Sequence, residues 1–348
     1  MNNDVIEYVS FSELDVRDPF FDTLIEDYEG FEGWFEKKSK QGEKAYILKE
    51  DKLRGFLYLK EEEEADYTIN PPFEEKRRLK IGTFKIESRG TVLGERFVGL
   101  VLKKMTEEGY LECYVTVFEK QNRLIKLFEK FGFTYWGLNK NGELVYTKSF
   151  EKHDDIHKDF PRIKTQENNK YLLSIWPKFH TKLFPNSKLQ TEKNHKVEDL
   201  AFTNTTEKVY LASMTGMEKI RTGDLLVIYR TAEDKKSAEW SSVATSICTV
   251  IERRNIREFN NVEDFIEYCG KGTIFSKGEL INFWNTRRYP HIVKMLYNIS
   301  LPKRIVRHNL IEQGIMNRKD YPGFMQLEDT QFEKIIELGE VNESFIID

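Results

Sequence analysis

Cysteine is scarce in this chain. Cys113, Cys248 and Cys269 are the three among 348 residues, none in a CxxC pair, and an odd count leaves at least one thiol unpaired. That argues against a disulfide-stapled scaffold or a zinc ribbon and fits a reducing, cytoplasmic setting. Long apolar runs are missing as well. Nothing approaches the ~20 residues of a membrane span, and "MNNDVIEYVS" has neither the basic nor the apolar region of a secretory leader. A soluble cytoplasmic protein with no membrane partner is expected. Charge of one sign is also lacking: the net charge is −4. Bulk attraction to nucleic acid is therefore excluded as a property of the whole chain, though a local patch is not. There is no Walker loop and no nucleophile elbow. Of six histidines, His153 and His157 alone suggest ligand spacing, and they lie in a stretch without helical periodicity. No metal is expected.

What is present is a globular composition, with 39% hydrophobic and 13% aromatic residues. The length suggests two domains. Charge divides between them: residues 1–150 hold 24 basic against 29 acidic side chains, and the remainder 30 against 29. The stretch from Phe150 to Lys170 is polar, carries Pro161 and lacks periodicity. The expected division is a domain over 1–150, a linker over 151–169 and a domain over 170–348.

The first part reads as mixed α/β. "VIEYVSF" is a strand, Asp18 and Pro19 open a helix, and "KAYILKEDKLRGFLYLKE" is a hairpin. "RRLKIGTFKIES" is a long strand. "LGERFVGLVLKKMTEEG" follows as a helix with apolar residues at Phe97, Leu100, Val101 and Met105. Then come the strand "YLECYVTVF", the helix "QNRLIKLFEKF" and a hairpin turned at Asn141-Gly142. Between the long strand and its helix stands "SRGTVLGERF", Ser88 to Phe97. Free backbone N–H groups at a helix start, with the helix dipole, attract an anion. Gly90 and Gly94 would permit close approach, and Arg89 could add a charge-assisted bond.

The order of strand, R-G-x-x-x-G loop, amphipathic helix, strand, helix and "LFEKFGF" resembles the GNAT family of N-acetyltransferases. Arg89 takes the first and Gly94 the last position of the family's acetyl-CoA signature. Leu127, Phe128, Glu129, Lys130, Gly132 and Phe133 match its later motif. The resemblance covers roughly residues 1–150. It implies an α+β fold with a mixed, mostly antiparallel sheet flanked by helices, and acetyl-CoA as acyl donor. The pyrophosphate would sit on Arg89, Gly90, Thr91, Val92, Leu93, Gly94 and Glu95. The pantetheine would lie along Phe84, Lys85 and Ile86, where the family's strand splays from the next. Val92 departs from the family's glycine, Gln121 from its asparagine, and Phe128 from its tyrosine acid, since a phenyl ring donates no proton. Tyr114 and Tyr135 are substitutes to consider. An amine nucleophile also needs a base. Glu87 ends the cofactor strand, Glu75 precedes it, and Glu112 lies on its neighbour.

In the second part, "KYLLSIWPKFHTKLF", an apolar strand from Leu225 to Tyr229 after Thr222-Gly223-Asp224, and "SVATSICTVIE" resemble the ASCH domain. "FPNSK" stands in place of the usual G-x-K. The resemblance implies a PUA-like β-barrel with helices over 170–348, and RNA or modified bases as ligands. Independently, Leu280 to Ile311 contains no acidic residue but holds Arg287, Arg288, Lys294, Lys303, Arg304 and Arg307. Trp284, Tyr289 and Tyr297 are interleaved among them. Cations contact phosphates and aromatic faces can stack on unpaired bases. Two functions compete. One is acetyl transfer to an amine of an RNA-linked or protein substrate, recruited through RNA or tRNA. The other is a catalytically weak binding module joined to a nucleic-acid or modified-nucleotide reader, regulatory or toxin-like.

Overall fold

The computed structural model describes residues 6–87, 92–184, 206–233 and 236–347. The described residues up to Glu151 form one compact unit and those from Lys152 onward another.

The first unit runs β1 (Ile6–Ser10), α1 (Asp22–Asp27), α2 (Phe31–Lys40), β2 (Lys44–Lys49), β3 (Leu53–Glu62), β4 (Ile69–Asn70), β5 (Arg78–Ile86), α3 (Val92–Glu107), β6 (Glu112–Val117), α4 (Asn122–Lys130), β7 (Thr134–Asn139) and β8 (Leu144–Ser149). Its eight strands stand in the order β1-β2-β3-β5-β6-β8-β7-β4. All neighbours are antiparallel except β5 and β6. A parallel pair needs a crossover, and α3 supplies it. Phe97, Leu100, Val101 and Met105 of α3 are all buried, as the 3.6-residue period requires. Asp18 caps the first helical turn, its carboxylate accepting from the Phe20 amide at 2.9 Å. One aromatic cluster of Phe11, Phe21, Phe35, Phe56 and Tyr58 packs with α1 and α2. On the α3 and α4 side, Phe84 packs against Phe97 and Phe128.

The second unit runs β9 (Ile163–Lys164), β10 (Lys170–Ile175), α5 (Pro177–Leu183), β11 (Glu207–Ala212), β12 (Leu225–Arg230), α6 (Ala238–Ser241), β13 (Val243–Asn255), α7 (Val262–Cys269), α8 (Lys277–Thr286), β14 (His291–Val306), α9 (Arg307–Glu312), β15 (Phe324–Leu327), α10 (Asp329–Leu338) and β16 (Ile346–Ile347). Six strands form a sheet in the order β11-β14-β13-β12-β10-β15, and β16 pairs with β9. The chain as a whole is α+β. Among the described residues no ladder joins β11 to β15, so the six strands do not close into a barrel; β13 and β14 instead carry three register shifts between them.

The expected linker over 151–169 belongs largely to this unit. Phe160 and Ile163 are buried, and β9 pairs with β16. The polar composition misled because it serves local turns: the Asp159 carboxylate accepts from the amides of His153 and Asp155 at 2.9 and 3.1 Å. Among the described residues, no helix is long and apolar enough to cross a membrane.

Candidate acetyl-CoA site and nucleic-acid surface

β5 and β6 are paired over four residues, from Arg78↔Glu112 to Ile81↔Val115. Beyond Ile81 that ladder stops, while β5 continues to Ile86 against β3 alone. Gly82 sits at the parting point. Opposite it the β3 register skips, Tyr58 facing Thr83 and Leu59 facing Ile81, so Gly82 is an extra residue in a bulge. A Cβ there would lie 2.8 Å from Cδ1 of Tyr58. The bulge bends β5 and leaves its edge toward β6 without ladder partners from Gly82 to Ile86.

The expected cofactor residues sort by atom. Phe84 turns its ring into the core, with centroids 6.1 Å from Phe97 and 5.5 Å from Phe128. Lys85 turns to α1, its Nζ 2.5 Å from Thr23 Oγ1, and burial depresses its pKa. Ile86 reaches toward α3, its Cδ1 3.6 Å from where a Cβ on Gly94 would lie, and on the edge toward β6 this stretch offers a ligand its backbone. Arg89, Gly90 and Thr91 lie outside the described residues, as does the side chain of Val92. Val92, Leu93, Gly94 and Glu95 form the first turn of the 16-residue α3, whose leading N–H groups have no intrahelical acceptor. Glu95 is nearly buried and paired with Lys130 at 2.8 Å. Gly94 has a structural reason of its own: a Cβ there would lie 2.6 Å from Leu127 of α4.

The two expected bases separate. Glu87 follows β5 at the open end, its amide bonded to the Arg54 carbonyl at 2.8 Å and its carboxylate 3.2 Å from Lys52. Glu75 is exposed and precedes β5 at the paired end. Arg78, where the strand begins, is itself on the order of 13 Å from Gly82 at ~3.3 Å per residue. The structure does not bring Glu75 to the opening. Glu112 is consumed by Arg78 and by Lys76 at 3.0 Å. Phe128 is fully buried, 4.9 Å from Phe133 between ring centroids. Tyr114 is no substitute acid: it lies on the paired half of β6 and donates to Glu62. Burial and that carboxylate push its pKa up. Tyr135 is exposed and packs against Tyr146.

A further carboxylate at the open end escaped the sequence reading. Glu143, 4% exposed, stands just before β8 and after Asn141-Gly142. It accepts from Tyr28 Oη at 3.1 Å, Thr116 Oγ1 at 3.3 Å and Asn139 Nδ2 at 2.6 Å. Thr116 is in the part of β6 that β5 has left. Burial and then the charge of Glu143 raise the Tyr28 pKa. Nothing in a single sequence pairs residues 28 and 143. The Gly82 bulge did have a signal, an isolated glycine inside a strand pattern.

The basic stretch of the second unit is not one patch. Arg287 caps α8, stacked 3.7 Å from the Trp284 ring, with Nη1 on the Ile256 carbonyl at 3.2 Å. Arg288 is nearby over Tyr289. Lys294, the fourth residue of β14, lies over Tyr268 at 4.2 Å. Lys303 pairs with Glu340 at 3.0 Å, and Arg307 donates to the carbonyls of Arg318 and Asp320 at 3.2 and 2.6 Å. Arg304 and Arg307 sit at the other end of the 16-residue β14 from Arg287, on the order of 40 Å along the strand at ~3.3 Å per residue. Tyr297 is buried, and the Trp284 ring faces Arg287 and Phe265. Closeness in sequence is not closeness in space on so long a strand.

No protein-family model matches the sequence, and no curated protein matches it. Solved structures do. An ASCH protein from Zymomonas mobilis is 12% identical, with 49% of this chain and 94% of that one covered and a TM-score of 0.31. An N-acetyltransferase from Staphylococcus aureus Mu50 is 15% identical, covering 42% and 98%, with a TM-score of 0.32. A NatC complex bound to Gag peptide and CoA is 18% identical, covering 41% and 95%, with a TM-score of 0.27. The solved structures similar to this chain include both N-acetyltransferases and ASCH domains.

Proposed function

We propose that the first unit binds acetyl-CoA and passes its acetyl group to an amine. The observation that carries this reading is the parting of β5 from β6 at Gly82, at the end of β5 from which the chain goes on to α3. An extended pantetheine can hydrogen-bond the open β5 edge as a further strand would. A pyrophosphate suits the leading amides of a long helix, with Arg89 as the countercharge. In the transfer a C–N bond forms as the C–S bond breaks. One proton must leave nitrogen and one must reach sulfur. Glu87 is the proposed base, acting through water because Lys52 already holds its carboxylate; Glu75 is not, given its distance. Backbone N–H groups of the open edge would hold the thioester oxygen.

The second unit recruits the acceptor, an amine on RNA or on an RNA-bound protein. Support comes from the resemblance of its sequence and from the cations at the two ends of β14. A second reading has one observation in its favour. Phe128 fills the place of the usual acid and is fully buried against Phe84 and Phe133, which suits a unit that binds acetyl-CoA and turns it over poorly.

Isothermal titration with acetyl-CoA tests the site. Wild type should bind at micromolar concentration, and Arg89→Glu should weaken binding at least about tenfold, equal to ~1.4 kcal/mol. A folded wild type that does not bind acetyl-CoA would end both readings of the first unit. Binding without turnover on any amine offered would select the second.

A further inference from the structure

Among the described residues of the second unit, the large hydrophobic side chains left exposed are Trp176, Trp240, Ile281 and Tyr321. Three of these four are aromatic, and all three stand at one end of the six-stranded sheet. Trp176 follows β10, whose last residue Ile175 pairs with Arg230, the last of β12. Arg230 faces Val243 at the start of β13, just after the helix that carries Trp240. Val243 in turn faces Val306, the last residue of β14, just before the helix that carries His308. Tyr321 arrives from the other side, because Ser174 of β10 bonds to the carbonyls of Pro322 and Gly323.

These segments are tied to one another. The His308 ring stacks on Trp240 with centroids 4.1 Å apart. Glu239 accepts from Arg318 at 2.9 Å and contacts His308 at 3.0 Å. Arg307 bonds to the carbonyl of Asp320, next to Tyr321. Lys178 lies 5.4 Å from the Trp176 ring centroid. The residues Trp176, Trp240 and Tyr321 are 58%, 62% and 92% exposed.

We propose that this end of the sheet is a stacking platform for single-stranded nucleic acid. The proposal rests on the reading that the second unit contacts nucleic acid, and it names a different surface from the Arg287–Arg288 turn. An exposed ring taken singly is ordinary, but here the three exposed aromatics described for the unit gather at one end of one sheet. A protein partner would be met by a contiguous apolar core. Here each ring stands on a separate segment: Lys178 lies by Trp176, His308 and Arg318 lie by Trp240 and are held by Glu239, Arg307 reaches the residue before Tyr321, and no exposed Leu, Ile, Val or Met stands beside a ring among the described residues. Separate rings with cations beside them, some held by carboxylates, suit successive unpaired bases and their phosphates.

The test is fluorescence anisotropy on the full chain with a labelled mixed-sequence RNA of about 12 nucleotides, within the span one such site covers, and with the same strand as a duplex. Single-stranded RNA should bind and the duplex should not compete equally. Trp176→Ala, Trp240→Ala and Tyr321→Ala should each weaken binding about 5-fold or more with the salt slope unchanged. Lys178→Ala should instead reduce the slope. Exposed rings can be removed without harm to the core, and circular dichroism checks that the fold persists. Unchanged affinity in all three ring variants, beside loss in Arg287→Ala with Arg288→Ala, would overturn the platform and keep nucleic-acid contact. Equal binding of the duplex would overturn stacking. No binding of either form by wild type would overturn the platform and the contact together.

Discussion

At the scale of residues, burial decides what a side chain can do. His180 shows it on the α5 helix, enclosed and bonded through Nε2 to Thr245 Oγ1 at 2.9 Å. Burial, with the nearby charges of Arg230 and Arg304, pushes its pKa down to about 3. The unfolded value is near 6.5. Above pH 6.5 both states are neutral and His180 leaves stability unchanged. Between 6.5 and 3 the unfolded chain takes up a proton that the fold refuses, so stability falls as pH falls. At pH 5 the loss is about 2 kcal/mol. Urea unfolding at pH 7 and pH 5 should show this fall in wild type, reduced by about that amount in His180→Gln. An identical fall in both proteins would acquit His180. Single residues were also where sequence reading reached least. That Phe128 lacks a hydroxyl is plain in the sequence; that Phe84 and Phe133 enclose it is not. Glu143 and Tyr28 meet across 115 positions, a distance no local pattern spans.

At the scale of elements, the periodic segments were legible and the irregular ones were not. The α3 helix announced itself by four apolar residues that all face inward. The hairpin at Asn141-Gly142 followed from turn chemistry, with Gly142 at φ 77°. By contrast, β4 has two residues and no alternation to read. Gly94 was legible as a glycine but not as to cause. It was expected to make room for a phosphate, and the structure gives it Leu127 as a neighbour. The two causes part company in a mutant cycle. Gly94→Ala gains helix propensity of ~1 kcal/mol but should lose about 1–3 kcal/mol through the clash. Adding Leu127→Ala should cost less than the sum of the single variants, because it opens the space that the methyl needs. Strict additivity in denaturant unfolding would place the role of Gly94 elsewhere.

At the scale of the whole molecule, the two units carry their own reporters. Cys113 is buried in the first, and Cys248 and Cys269 in the second. Burial raises all three thiols, Cys269 to about 12. A thiolate is the reactive form, so a thiol reagent at neutral pH should label none of them in the native protein and all three in strong guanidinium. Mass spectrometry across a denaturant series should then give Cys113 one midpoint, and Cys248 and Cys269 a shared one. Rapid labelling of any of the three in buffer would contradict their enclosure. The structure divides the chain between Glu151 and Lys152, at the start of the polar stretch; what that stretch hid is that it packs into the second unit, since buried Phe160 and Ile163 stand among hydrophilic neighbours.

The pairing of β9 with β16 sets Ile163 beside Ile346. On the ribosome, β9 must wait until roughly 180 more residues have been made, on the order of ten seconds or more at ~5–20 residues per second. The first unit, whose strands all lie before that stretch, can finish folding in the interval. Its apolar strands are thus put away while those of the second are still being threaded out, and the period when a chaperone would matter most falls late in synthesis.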